Sequence, residues 1–175
     1  MYEYFLGIDP GQSGAIAIIN KSGELIKVIS FKSHIRILWG FKIINARTIA
    51  EELKSVIKDF SLCTVLSERV SSYDQGRNSA FNFGANSIGL VLMLEALGFG
   101  EINSTPPTEW KDLMGVSSKH LGTFSGKEKD KALKKLSEAK ANTLFPYFKF
   151  NPSATADEEE SALLAYLCWN SNKGK

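Results

Sequence analysis

The chain opens with three short apolar runs separated by turn formers. Tyr4–Asp9, Gly14–Asn20 and Leu25–Phe31 each have the length and composition of a buried strand. Pro10-Gly11 ends the first run, and Asn20-Lys21-Ser22-Gly23 supplies a turn between the second and third. Connections this short predict an antiparallel meander. The period then lengthens: from Ala46 to Asp59, Ile49, Leu53, Val56 and Ile57 recur at helical spacing. Cys63–Val70 reads as a buried strand, Asn86–Leu97 as a helix apolar nearly all round, and Glu101–Thr105 as a short fifth strand. Pro106-Pro107 opens a brief helix. A loop with Gly122 and Gly126 spans Ser117–Lys127, a basic helix runs over Asp130–Phe145 until Pro146, and a last helix runs from about Ala156 to Asn170. No repeat, low-complexity segment or boundary interrupts this order, so residues 1–175 are expected to form a single domain.

A meander followed by right-handed crossovers gives an α/β fold, a mixed five-stranded sheet with helices on both faces. The first and fourth strands then lie side by side and parallel. Asp9 ends the first and Glu68 stands near the end of the fourth, so both carboxylates meet at the carboxyl edge of the sheet, where α/β folds place their chemistry.

Composition narrows the class without naming a partner. With 43% hydrophobic and 23% charged residues, the 175-residue chain matches a soluble globular protein. No apolar run is expected to span a membrane, the N-terminus lacks secretory features, and the cytoplasm is the expected location. Cys63 and Cys168 sit in apolar stretches and are expected to be reduced and buried. The net charge of +2 does not mark a polyanion binder, but seven lysines between Lys119 and Lys140 face only Glu128, Asp130 and Glu138. By charge alone that patch is a solvated helix face.

Acidic residues change the picture. The last helix opens with "TADEEESALLAYLCW", in which Thr155 and Glu158 form a capping-box pattern. Asp157 and Glu160 share a face that continues through Leu164, Leu167 and Cys168, while Glu159 lies to one side with Leu163 and Tyr166 and is a substitute for Glu160. Acids in a first turn commonly do no more than complement the helix dipole. What points to chemistry is that three separate segments bring carboxylates to one sheet edge. Clustered carboxylates resist ionisation unless a cation compensates. Their hard oxygens suit Mg2+ or Mn2+, and two such ions about 4 Å apart activate a water and stabilise the leaving oxygen of a phosphodiester. His34 and His120 have no partners at zinc spacing.

"GIDPGQSG", "LSERV" and the late "ADEEESALLA" together resemble the RuvC-type Holliday-junction resolvases, in particular their phage-like branch, within the RNase H-like superfamily. "FNFGANSIGLVLMLEALGF", "PPTEWKDLMG" and "GKEKDKALKKLSEAKANTLFP" are similar to that branch too, so the resemblance covers nearly the whole chain in order. It implies an RNase H-like fold and an endonuclease of DNA recombination and repair. Such an enzyme cuts paired strands of a four-way DNA junction as a homodimer with Mg2+ or Mn2+. By motif match, Asp9, Glu68, Asp157 and Glu160 are the ligands. Two positions depart from the pattern. Ser71 stands where the family often has an aromatic wedge, with Tyr73 the nearest aromatic. Glu160 stands where many members have aspartate.

A nuclease must also hold a polyanion. Lys127, Lys129 and Lys131 flank the glycine-bearing loop, Lys134 and Lys135 continue onto the helix, and the resemblance implies that lysines here contact DNA and assist at the scissile phosphate. The polar segment Arg69–Phe81 follows Glu68 directly and offers Arg69, Tyr73 and Arg77 to the junction. The all-round apolar helix needs burial on all sides, which a two-fold homodimer provides. Trp110 is expected to pack in the core. Three alternatives remain open: an RNA–DNA hybrid nuclease with the same acids, a phosphotransferase module suggested by the likeness of "GIDPGQSG" to the phosphate loop of actin and sugar kinases, and a DNA-binding module without activity.

Overall fold

A computed structural model describes residues 1–69, 76–121, 125–151 and 156–174 of the protein. Its first half runs β1 (Tyr4–Asp9), β2 (Ala15–Asn20), β3 (Leu25–Ser30), β4 (Ile35–Leu38), β5 (Phe41–Ile44), α1 (Ala46–Lys54) and β6 (Cys63–Glu68). The second half runs α2 (Arg77–Leu97), β7 (Glu101–Thr105), α3 (Pro107–Leu113), α4 (Gly126–Leu144) and α5 (Asp157–Asn172). Five strands form one sheet in the order β3-β2-β1-β6-β7. β1 pairs antiparallel with β2 and parallel with β6, and β6 pairs parallel with β7. This is the mixed sheet that the sequence predicts, with β1 and β6 adjacent as expected.

Pleating divides the core into two layers. Leu6 and Ile8 of β1 point to one face, where they join Ile16, Ile18, Val65 and the inner residues of α1 and α2, Ile49, Leu53, Leu90 and Leu94. Phe5 and Ala17 point to the other, against Ala162, Ala165 and Cys168 of α5. Beyond α5, a third cluster joins Leu163 and Leu164 to Trp110 of α3 and Ala141 of α4. Each fully buried Leu or Ile contributes roughly 1.5–3 kcal/mol, and these clusters lock α5 between the sheet and α3 and α4. Gly7 makes that contact possible. A Cβ there would lie 2.1 Å from Ala165 N and 2.2 Å from Ser161 O, so the backbone of α5 rests directly on β1. Cys63 and Cys168 are free and buried, and burial pushes both thiols up to about 12.

Several boundaries differ from the sequence reading. The β4–β5 hairpin, a separate two-stranded sheet, is absent from it. Trp39 and Gly40 form its turn with φ of 51° and 82°, the pair of positive angles that a tight antiparallel turn needs. α2 begins at Arg77 and not at Asn86, and α4 at Gly126 and not at Asp130. α2 is also not buried all round: Leu90 and Leu94 are in the core, while Ile88 and Leu92 are 61% and 58% exposed, and Phe81 is exposed as well. By length and composition alone Ser79–Leu97 is apolar enough to cross a membrane, contrary to the sequence reading. Asn86, Ser87, Leu90 and Leu94 form its packed face, and Ile88 and Leu92 leave the opposite side apolar and exposed.

Candidate active site

The parallel register of β1 and β6 builds the site. Ile8 pairs with Ser67, so one step further Asp9 stands beside Glu68. Alternation gives Asp9 the same face as Gly7, and Glu68 the same face as Leu66, which is the α5 side. Gly7 lets α5 cross at the sheet surface with its N-terminus at this edge, and Asp157 and Glu160 arrive there in its first turn.

The loop after Asp9 is tight. Gly11 N donates to Asp9 Oδ1 at 3.1 Å and Gly14 N to Gly11 O at 2.9 Å. Burial together with the charges of Glu68, Glu160 and Asp157 pushes the Asp9 carboxyl up to about 7, and only the Gly11 amide opposes this. Glu68 is also raised, by burial and by Glu160, against the lowering effects of Trp110 and Lys111. The acids from three segments therefore share one electrostatic environment, as the sequence predicts.

Protein partners hold them individually. Trp110 Nε1 donates to Glu68 Oε2 at 2.8 Å. Lys111 Nζ lies 3.0 and 3.1 Å from the two Glu160 oxygens, and Ser137 Oγ donates to Glu160 Oε1 at 3.1 Å. Lys32 Nζ lies 3.3 Å from Asp157 Oδ2, an ion pair without hydrogen-bond alignment. Among the described residues no three acidic, histidine or cysteine side chains are gathered as a ready-made metal cage. The donor set nevertheless fits a hard divalent cation. It is all carboxylate oxygen, the neighbouring acids raise the proton affinity of Asp9 and Glu68, and Asp157 Oδ2 is buried without a hydrogen bond.

Glu159, the substitute fourth acid, is buried with Oε2 unbonded, and burial with Glu158, Glu138 and Asp157 raises it. Asp9 and Glu68 both feel Glu160 instead. Glu158, half of the expected capping box, has other partners. Glu158 accepts from Asn151 N and Nδ2, at 3.1 and 3.0 Å, the N-cap is Ala156 at φ 48°, and Thr155 lies outside the described residues.

The basic residues flank the acids on two sides. Lys129 lines a cleft with Lys111 and Lys119, and Lys127 and Lys131 line another with Lys134 and Ala156, the residue before Asp157. Arg69 is exposed beside Glu68, its N–H donating to Thr105 O at 2.7 Å. Tyr73 and Ser71 lie outside the described residues, and so does the side chain of Arg77, whose backbone starts α2. Sequence reasoning missed Lys32, Lys111 and Ser137, and gave Trp110 a packing role alone. Trp110 is fully buried, but it also orients Glu68. The adjacent Trp-Lys pair on a short helix directly after the last strand was the available signal.

No protein-family model matches the chain, and no curated protein matches its sequence. Solved structures do. The chain is similar to Thermus thermophilus RuvC in complex with a Holliday junction substrate, with TM-score 0.57, 15% identity, and 99% of this chain and 97% of that one covered. It is similar also to a further T. thermophilus RuvC structure, with TM-score 0.55, 17% identity and coverage of 97% and 95%. At such identity the likeness is one of fold: the chain has the mixed-sheet RNase H-like fold of RuvC over nearly its full length.

Proposed function

We propose that this protein is a divalent-metal-dependent endodeoxyribonuclease of the RuvC type, a single-domain enzyme that hydrolyses phosphodiesters at four-way DNA junctions. The observation that carries the reading is the raised Asp9 carboxyl: three segments far apart in sequence put acids against it at the carboxyl edge of a RuvC-like sheet. Asp9, Glu68, Asp157 and Glu160 would hold Mg2+ or Mn2+, probing the same edge from β1, β6 and α5. Such ions supply a water nucleophile and charge neutralisation at the leaving oxygen.

The chain's own residues prepare the rest. Trp110 fixes one Glu68 oxygen and leaves the other to the site. Lys111 and Ser137 fix Glu160. Lys127, Lys129 and Lys131 hold phosphates on either side of the acids, and Arg69 extends that surface past Glu68. The exposed Ile88 and Leu92 of α2 form the seam of a two-fold homodimer, which presents two sites to two strands. The enzyme acts in the cytoplasm of a bacterial or phage-infected cell.

Incubation with synthetic four-way junctions, linear duplex and RNA–DNA hybrid, each with Mg2+ and with chelator, tests the reading. Paired cuts in the junction that require Mg2+ are expected. Preferred cutting of the hybrid would move the protein to another RNase H-like activity, and no cleavage of any substrate would leave a binding module.

A further inference from the structure

The β4–β5 hairpin lies outside the five-stranded sheet and takes no part in the acid cluster. We propose that it is a DNA-contacting arm whose Trp39 indole stacks on a nucleobase outside a Watson–Crick duplex. The proposal rests on the reading of the protein as a binder of branched DNA and gives that reading a base-contacting element.

Four observations carry it. Trp39 is 88% exposed at the hairpin tip, whereas Trp110 is fully buried and Trp169 packs on Gly23. Trp39 has φ 51°, a conformation that costs an L residue about 1 kcal/mol and that no core contact repays here. The base of the hairpin is firmly tied. Ile44 N donates to the Asn86 side chain at 2.7 Å, and nearer the tip the Phe41 and Phe81 rings lie 5.5 Å apart. Gln12 Nε2 donates to Lys42 O at 2.8 Å, which fastens the hairpin to the loop that follows Asp9. An exposed indole on an arm fastened to the loop that follows Asp9 can meet a strand that runs past that loop.

Charge selects the occupant. Between Glu24 and Glu51 the chain has Lys27, Lys32, Arg36, Lys42 and Arg47 and no acidic residue. Lys27 and Lys32 pair with Glu52 and Asp157, while Arg36 and Lys42 are exposed on the hairpin itself. A two-fold contact through this element would set cations against their own image. A polyanion with exposed aromatic faces fits both features, because bases stack on aromatic side chains while Lys and Arg follow the backbone. Single strands expose such bases along their length and an opened four-way junction exposes unstacked bases at its crossover, whereas a linear duplex exposes base faces only at its two ends.

The test uses the full chain in chelator, titrated with a single-stranded oligonucleotide, a four-way junction and a linear duplex. Tryptophan emission, binding affinity and molecular mass are recorded together. Single strand and junction should quench the parent's emission. Trp39→Phe should lose the quenching and keep its affinity, because a ring still stacks. Trp39→Ala should lose about 10- to 100-fold in affinity for single strand and junction but little for duplex. Melting temperatures of both variants should match the parent, as expected of an exposed tip. Affinities within two-fold of the parent for Trp39→Ala would overturn the proposal. So would a parent dimer that Trp39→Ala converts to monomer, since a second copy would then be the occupant. A parent that binds junction no more tightly than duplex, yet needs Trp39 to bind single strands, would remove the resolvase reading and leave the hairpin assignment standing.

Discussion

Asp9 serves two opposed ends. As a metal ligand its carboxyl would have to ionise, and burial together with its acidic neighbours resists that ionisation. The consequence is a definite pH dependence. Folding raises this acid from near 4 to about 7, so the folded chain binds the proton more tightly than the unfolded one. Below about pH 4 both states are protonated and the group contributes nothing. As pH rises from there to about 7 the unfolded chain ionises first, and the fold loses stability on the order of a few kcal/mol. Glu68 and Glu159 are shifted the same way. In chelator, calorimetry should show a melting temperature that falls from pH 4.5 to 7.5. Asp9→Asn should flatten that slope and raise the neutral-pH melting temperature, while abolishing cleavage and retaining junction binding. A slope unchanged in Asp9→Asn would mean that the Asp9 carboxyl is not raised in the fold.

At the scale of elements, the contact between β1 and α5 decides whether the acids meet. Gly7→Ala would push a methyl group into the backbone at Ala165 and Ser161, atoms that cannot move aside as a side-chain end can. We expect a loss of roughly 3 kcal/mol or more, read as a lower melting temperature, and a fall in cleavage greater than the unfolded fraction explains. Full activity in a stably folded Gly7→Ala protein would mean that α5 does not need to lie so close. The sequence made the consequences of strand order legible: once β1 and β6 are parallel neighbours, Asp9 and Glu68 must be adjacent. It did not reveal Gly7 as the contact point, because a glycine inside an apolar run carries no pattern of its own. The hairpin escaped for another reason. Ile35–Leu38 and Phe41–Ile44 are runs of four, each interrupted by a cation, too short to separate strand from helix by period, and Trp39-Gly40 is not the Asn-Gly or Asp-Gly pair that signals a tight turn. The first turns of α2 lack apolar periodicity, and its true start was hidden likewise. The partners of the acids, Lys111, Ser137 and Lys32, follow from three-dimensional packing and not from spacing along the chain.

For the whole molecule, the distribution of charge and of exposed apolar surface says more than the net charge of +2. Lysines of α4 line clefts beside the acids, while α2 leaves Ile88 and Leu92 in solvent one helical turn apart. A dimer through α2 would cover that stripe. Leu92→Glu should then yield a monomer in sedimentation equilibrium with a nearly unchanged melting temperature, and junctions should be nicked singly and not cut in pairs. A parent that already sediments as a monomer would remove the two-fold assembly.

The pairing of Ile8 with Ser67 also sets a rule for how this chain can vary. Inserting or deleting one residue between Cys63 and Glu68 would invert the pleat and send the Glu68 carboxyl into the layer with α1 and α2. Two residues would restore the face but move the carboxyl past Asp9 by about 7 Å along the strand. This stretch can therefore exchange one apolar residue for another, yet its length is fixed: among descendants of this sequence that keep Asp9 and Glu68 together, β6 should carry substitutions and no gaps.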